Sequence, residues 1–143
     1  MTVWLELEHV KEICFELAVV LPFKEPIPSF GTRFPGKLES CLAAPRHWFN
    51  GAFLYPTLVD QAAILFYVLN KDHPFANGNK RIALTSLMVF LALNHRWISV
   101  DIMKFYEFSV SVAASDAREK DRVTEYIKDF IVAHAQRYRD PGT

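Results

Sequence analysis

The sequence predicts an all-α fold, a compact helical bundle carrying one small β-hairpin, and three observations lead there. Apolar residues recur at helical spacing along the first twenty residues and again beyond residue 101. Two stretches, 58–69 and 82–93, are apolar on nearly every face, as expected of helices buried in the middle of a core. One dipeptide, Asn50-Gly51, lies between aromatic-rich arms and carries a strong hairpin-turn signal. Length agrees: 143 residues suit a single domain, 1–143, with a sizeable core. Hydrophobic residues at 51% and charged residues at 22% are ordinary for a globular chain and exclude a disordered one.

Taken in order, Val10, Ile13, Cys14, Leu17 and Leu21 form one apolar face over residues 6–20, with Glu6, Lys11, Glu12 and Glu16 elsewhere. Pro22 ends that helix. Pro22, Pro26, Pro28, Gly31, Pro35 and Gly36 then mark an irregular crossing. A short helix over Leu38–Ala43 stops at Pro45, and the hairpin follows. At least two of Trp48, Phe49 and Phe53 are expected to pack onto the core. Thr57 and Asp60 form a variant of the capping box ahead of the first central helix. The two central helices are joined by a short loop and should lie antiparallel. Asn94-His95 ends the second. Asp101 caps a helix bearing Ile102, Phe105, Ser109, Val112 and Ala113, and a last helix turns Val123, Ile127, Phe130, Ile131 and His134 inward. Residues from Tyr138 onward are expected to fray.

Sixteen basic and sixteen acidic side chains cancel, so charge gives no support for nucleic-acid binding. Cys14 and Cys41 have neither metal-site nor disulfide-framework spacing and read as buried reduced thiols. The N-terminus lacks the basic and apolar regions of a signal peptide, and the longest apolar run is too short for a bilayer. A cytoplasmic location with no membrane partner is the expectation. His9, His47, His95 and His134 lack metal-like spacing and read as structural or surface residues.

The chemistry concentrates in His73-Pro74-Phe75-Ala76-Asn77-Gly78-Asn79-Lys80-Arg81, between the two central helices. Gly78 permits a tight left-handed turn, and Asn79 is a favoured N-cap for a helix opening near Lys80. Such a loop delivers backbone N–H groups, Lys80 and Arg81 to one helix N-terminus. That is an anion site, and phosphate is the anion it suits. Cations at a helix start oppose the macrodipole, so a bound anion would relieve the conflict. Pro74 stops the preceding helix and Phe75 plugs the loop into the core. His73 titrates near neutrality as a residue type and is the candidate general base.

His-Pro-Phe-x-x-Gly-Asn-Lys-Arg resembles the signature loop of the Fic/Doc family, and its Asn-Lys-Arg ending resembles the Doc (death-on-curing) branch. The resemblance extends through Gly36-Lys37-Leu38-Glu39-Ser40, Leu54-Tyr55-Pro56-Thr57-Leu58, Ala83-Leu84 and Phe90-Leu91-Ala92-Leu93-Asn94. It implies a helical Fic/Doc bundle with the hairpin as a flap beside the active-site loop, pairing with the target segment. It also implies that His73 deprotonates a target hydroxyl while Gly78, Asn79, Lys80 and Arg81 hold nucleotide phosphates. The activity implied is transfer of a phosphoryl group from ATP to a Ser/Thr hydroxyl of a translation factor such as elongation factor Tu. The partner implied is a separate antitoxin of the prevents-host-death type.

The family usually carries Asp or Glu at position 77 to hold Mg²⁺, so Asn77 is the candidate metal residue with only a neutral oxygen to offer. This departure opens the alternative of a catalytically impaired binding module. A second alternative is an AMP transferase, but Leu84 stands where many such enzymes carry another arginine. No Glu-Gly or Glu-Asn pair exists to serve as a built-in inhibitory motif.

Overall fold

The computed structural model describes residues 1–23 and 29–137. Part of the proline-rich crossing and the tail from Tyr138 lie outside the described residues. The first helix, α1, runs as Leu7–His9, a π-helical turn Val10–Cys14, and Phe15–Val20. Helix α2 spans Lys37–Ala43, α3 Leu58–Lys71, α4 Asn79–Leu93, α5 Ile102–Ala114 and α6 Lys120–His134. Four short strands, β1 Trp48–Phe49, β2 Ala52–Phe53, β3 Arg96–Ile98 and β4 Ala135–Arg137, pair antiparallel as β1–β2 and β3–β4.

Helices α3 and α4 form the centre. Ten consecutive residues of α3, from Gln61 to Asn70, are buried, and α4 buries all but a few of its side chains. Thr57 Oγ1 accepts from Asp60 N–H at 3.1 Å while Asp60 Oδ2 accepts from Thr57 N–H at 3.2 Å, the expected reciprocal cap. The pair is antiparallel, and the chain's first residues show it. Thr2 Oγ1 donates to Gln61 Oε1 at the start of α3 (2.8 Å), and Val3 N–H donates to Asn94 Oδ1 just past the end of α4 (2.7 Å). Asp101 caps α5 through Met103 and Lys104 N–H. Phe66 stacks on Phe108 and lies tilted against Phe105 where α5 meets α3.

Four expectations are corrected. Ile13 is exposed, and Val10, Cys14 and Ala18 form the buried face of α1 instead. The π-helical turn spreads one extra residue over its length and advances the apolar face past Ile13. Asn50 (φ 51°) and Gly51 (φ 78°) do make the two-residue turn, but Trp48 and Phe49 are 59% and 67% exposed. Of the three aromatics, Phe53 alone reaches inward, its ring 6.2 Å from Trp4. The hairpin also lies at the end of the α3/α4 pair opposite the signature loop. Its exit leads into the first turn of α3, whereas His73 follows the last, and the 14 residues between span about 20 Å. Lastly, the hairpin is not the sole β-structure. The β3–β4 ladder joins the turn after α4 to the end of α6, with Trp97 opposite Gln136.

Candidate active site

The signature loop is a pinned turn. Helix α3 ends at Lys71 with Asp72 as its cap, and His73 follows in the left-handed region at φ 48°. For a non-glycine residue that conformation is disfavoured by about 1 kcal/mol. It ends the helix and leaves His73 exposed. Phe75 is fully buried, edge-on to Phe15 at 5.4 Å, as the plug reading expects. Asn79 closes the turn from the other side. Its Oδ1 accepts from Phe75 N–H and its Nδ2 donates to Phe75 O, both at 2.9 Å. This corrects the expected cap. Gly78 (φ 72°) is the N-cap, Asn79 is already the first helical residue, and its buried amide works backwards onto the loop.

The upstream crossing is tied to the same turn. Arg33 bridges Phe75 in antiparallel fashion, and Phe34 N–H donates to Pro74 O at 2.9 Å. These bonds satisfy backbone groups that the irregular loop would otherwise leave open. The first intrahelical bond of α4 runs from Ile82 N–H to Gly78 O at 3.1 Å, so the helix opens its N-terminus at this turn. Lys80 is half-buried there and makes no ion pair among the described residues. Asn77 is exposed.

Arg81 does not join them. It is 3% exposed, and its Nη1 donates to Ala18 O (2.7 Å) and Leu21 O (3.0 Å) while Nη2 donates to Phe23 O. The guanidinium also lies 5.6 Å from the Phe23 ring. These carbonyls lie at and just beyond the end of α1, where Leu21 N–H reaches Ala18 O at 3.4 Å and the helix itself supplies few further donors. The expected phosphate contact is therefore replaced by a helix-end clamp. The turn thus carries His73, Asn77, Gly78, Asn79 and Lys80 along one pinned segment and sends the Arg81 side chain into the core.

Mg²⁺ finds a poor donor set. The loop from His73 to Arg81 holds no carboxylate, Asn77 offers one neutral oxygen, and no group of three His, Cys, Asp or Glu side chains gathers among the described residues. His73 also lines a cavity of about 370 Å³ that the loop residues alone do not announce, bordered by Lys37, Ser40, Lys71 and Asp72. Gly36-Lys37-Leu38-Glu39-Ser40 was visible as a family-like stretch, but nothing in it pointed at position 73. Beneath this cavity, burial pushes the Cys41 thiol up to about 12, and the neighbouring Asp72 carboxylate adds to the rise. Cys14 is raised to about 11, again by burial, and both thiols are free as expected.

Among known proteins, the Toxin Doc of Mycolicibacterium smegmatis (strain ATCC 700084 / mc(2)155) is 35% identical over 66 residues. That match covers 46% of this chain and 51% of the relative, so the chain spans about half the length of the curated protein it matches. No solved structure matches it. The profile of the Fic/DOC family matches residues 4–91, from the start of the N-terminal segment through the whole signature turn and nearly to the end of α4. That is more than half of the chain, and the chain belongs to the Fic/DOC family.

Proposed function

We propose that this protein is a Doc-like toxin that transfers the γ-phosphoryl group of ATP to a Ser/Thr hydroxyl of a target protein, with a translation factor such as elongation factor Tu as the target. The observation that carries the reading is the pinned turn. It holds an exposed imidazole at one end and the N-terminus of α4, with half-buried Lys80, at the other. In the reaction, His73 accepts the proton of the target hydroxyl. The hydroxyl oxygen forms a bond to the γ-phosphorus, and the bond from that phosphorus to the β–γ bridging oxygen breaks. ADP leaves with the electron pair. Charge on the phosphoryl oxygens is met by the first N–H groups of α4 and by Lys80, which is most of what such a transfer requires. Asn79 and Gly78 serve this arrangement by fixing the turn. The donor set around Asn77 does not suit Mg²⁺.

Leu84 is fully buried and brings no second cation to the phosphates, which favours phosphoryl over adenylyl transfer. Asn77 favours a second reading, a binding module that keeps the fold and has lost the chemistry. A separate antitoxin and a cytoplasmic location belong to the same proposal. Among the described residues no helix is long and apolar enough to cross a membrane. Incubation of a lysate with γ-labelled ATP tests it: one protein band should carry label, and His73→Ala should remove it. Label arriving from α-labelled ATP instead would favour AMP transfer. Binding of ATP or a partner without any transfer would favour the binding module.

A further inference from the structure

The cavity that His73 lines is separate from the α4 N-terminus, because neither Asn77 nor Lys80 borders it. Its charge is unbalanced. Lys37 and Lys71 face a single carboxylate, Asp72, and neither lysine forms a salt bridge among the described residues. Both are held by neutral oxygens instead. Lys37 Nζ donates to Asp72 O at 3.3 Å, while Lys71 Nζ donates to Ala113 O at 3.2 Å and to Ser115 O. An ammonium has three donors, so Lys37 keeps two and Lys71 one for a ligand. The nearby Asp116 is occupied by Arg118, to which it is bonded at 2.7 Å. The placement of Lys37 is built in. Phe34, three residues before it, is bonded to Pro74, and the ammonium lies 5.4 Å from the Phe34 ring. Lys37 and Ser40 are exposed, so the cavity is open to a partner.

Resting on the transferase reading above, we propose that this cavity seats the target's acceptor segment and that Lys37 selects a target with an acidic side chain beside the accepting hydroxyl. A phosphate tail held at α4 and an acceptor held here would both reach His73, with the accepting and leaving oxygens on opposite sides of the γ-phosphorus as an in-line transfer requires. A carboxylate from the target would take the spare donors of Lys37 and Lys71 in charge-assisted bonds. One largely exposed ion pair of this kind is worth up to about 1 kcal/mol, or about fivefold in affinity.

The test measures binding of fluorescein-labelled Ser/Thr peptides with either acidic or basic flanks to the full chain, by anisotropy, beside ATP affinity by calorimetry. The native protein should prefer acidic flanks by about fivefold, Lys37→Glu should reverse the preference, and Ser40→Asp should cancel it with Lys37 still in place. Both positions are exposed, and circular dichroism confirms folding. Equal binding of both peptides, no peptide binding, or an unchanged preference in Lys37→Glu overturns the proposal. So does a Lys37→Glu protein that loses ATP and keeps the peptide, since the charge would then serve phosphates. Parallel γ-labelling separates the two ideas. Acid-selective binding without transfer supports this cavity and ends the transferase reading, whereas transfer without acid preference does the reverse.

Discussion

Replacing Arg81 by Met separates two roles that a signature arginine can play. In the structure three of its N–H groups close the carbonyls of Ala18, Leu21 and Phe23 inside the core. Hydrogen bonds from a charged donor contribute about 1.5–3 kcal/mol each, but burying the guanidinium costs several kcal/mol that the apolar variant recovers. The stranded carbonyls then dominate, and the net loss is about 3–5 kcal/mol. With 143 residues the unfolding entropy is about 0.3 kcal/mol/K, so the melting temperature should fall by about 10–17 °C. Urea unfolding and thermal circular dichroism measure this, with ATP affinity determined on the folded fraction. A variant as stable as the native protein that has lost ATP binding would refute the clamp and restore Arg81 to the phosphates.

Phe75→Ala removes a fully buried ring from beneath the turn and should destabilise the fold by about 3–5 kcal/mol, read from the urea midpoint. A loss under 1 kcal/mol would mean that the plug is dispensable. With thiols raised to about 11 and 12, neither Cys14 nor Cys41 holds more than about one thiolate in a thousand at pH 8. Ellman's reagent should find no fast thiol in the folded protein and two in denaturant, and rapid reaction before unfolding would contradict their burial. The Asp60 carboxyl is pushed up by burial, yet bonds from Lys128 and Thr57 outweigh that and hold it below its ordinary range. A lowered folded value stabilises above the unfolded one and is lost as pH falls, so stability should decline between about pH 5 and 3. Asp60→Asn should flatten that part of the acid limb, and an identical slope in the variant would discount the group.

The central helices were legible because burial on every face leaves a continuous apolar run that no other element of this length produces. Thr57, Asp101 and Asn50-Gly51 were legible for a related reason: caps and tight turns are local, set by a side chain and its next few neighbours. The failures are non-local. The π-helical turn at Val10–Cys14 shifts the phase of α1, and no single residue there announces it. The β3–β4 ladder pairs residues about forty positions apart in strands too short to alternate, so tertiary packing alone decides it. Arg81 has the chemistry of an anion ligand in any reading of its type. Its fate depends on where α1 happens to end. Lys37 and His73 border one cavity, and the strap from Phe34 to Pro74 that helps place them is a contact between distant segments.

If the chain modifies a protein as proposed, the separation of the hairpin from His73 sets a ruler for that target. A strand added to the free edge of β1–β2 would sit about one α3 length, about 20 Å, from the imidazole. An extended chain covers that gap in about six residues. Under the proposed transferase activity, a single target segment gripped at the hairpin would be extended for at least that stretch before its hydroxyl arrives, which favours tails and long loops.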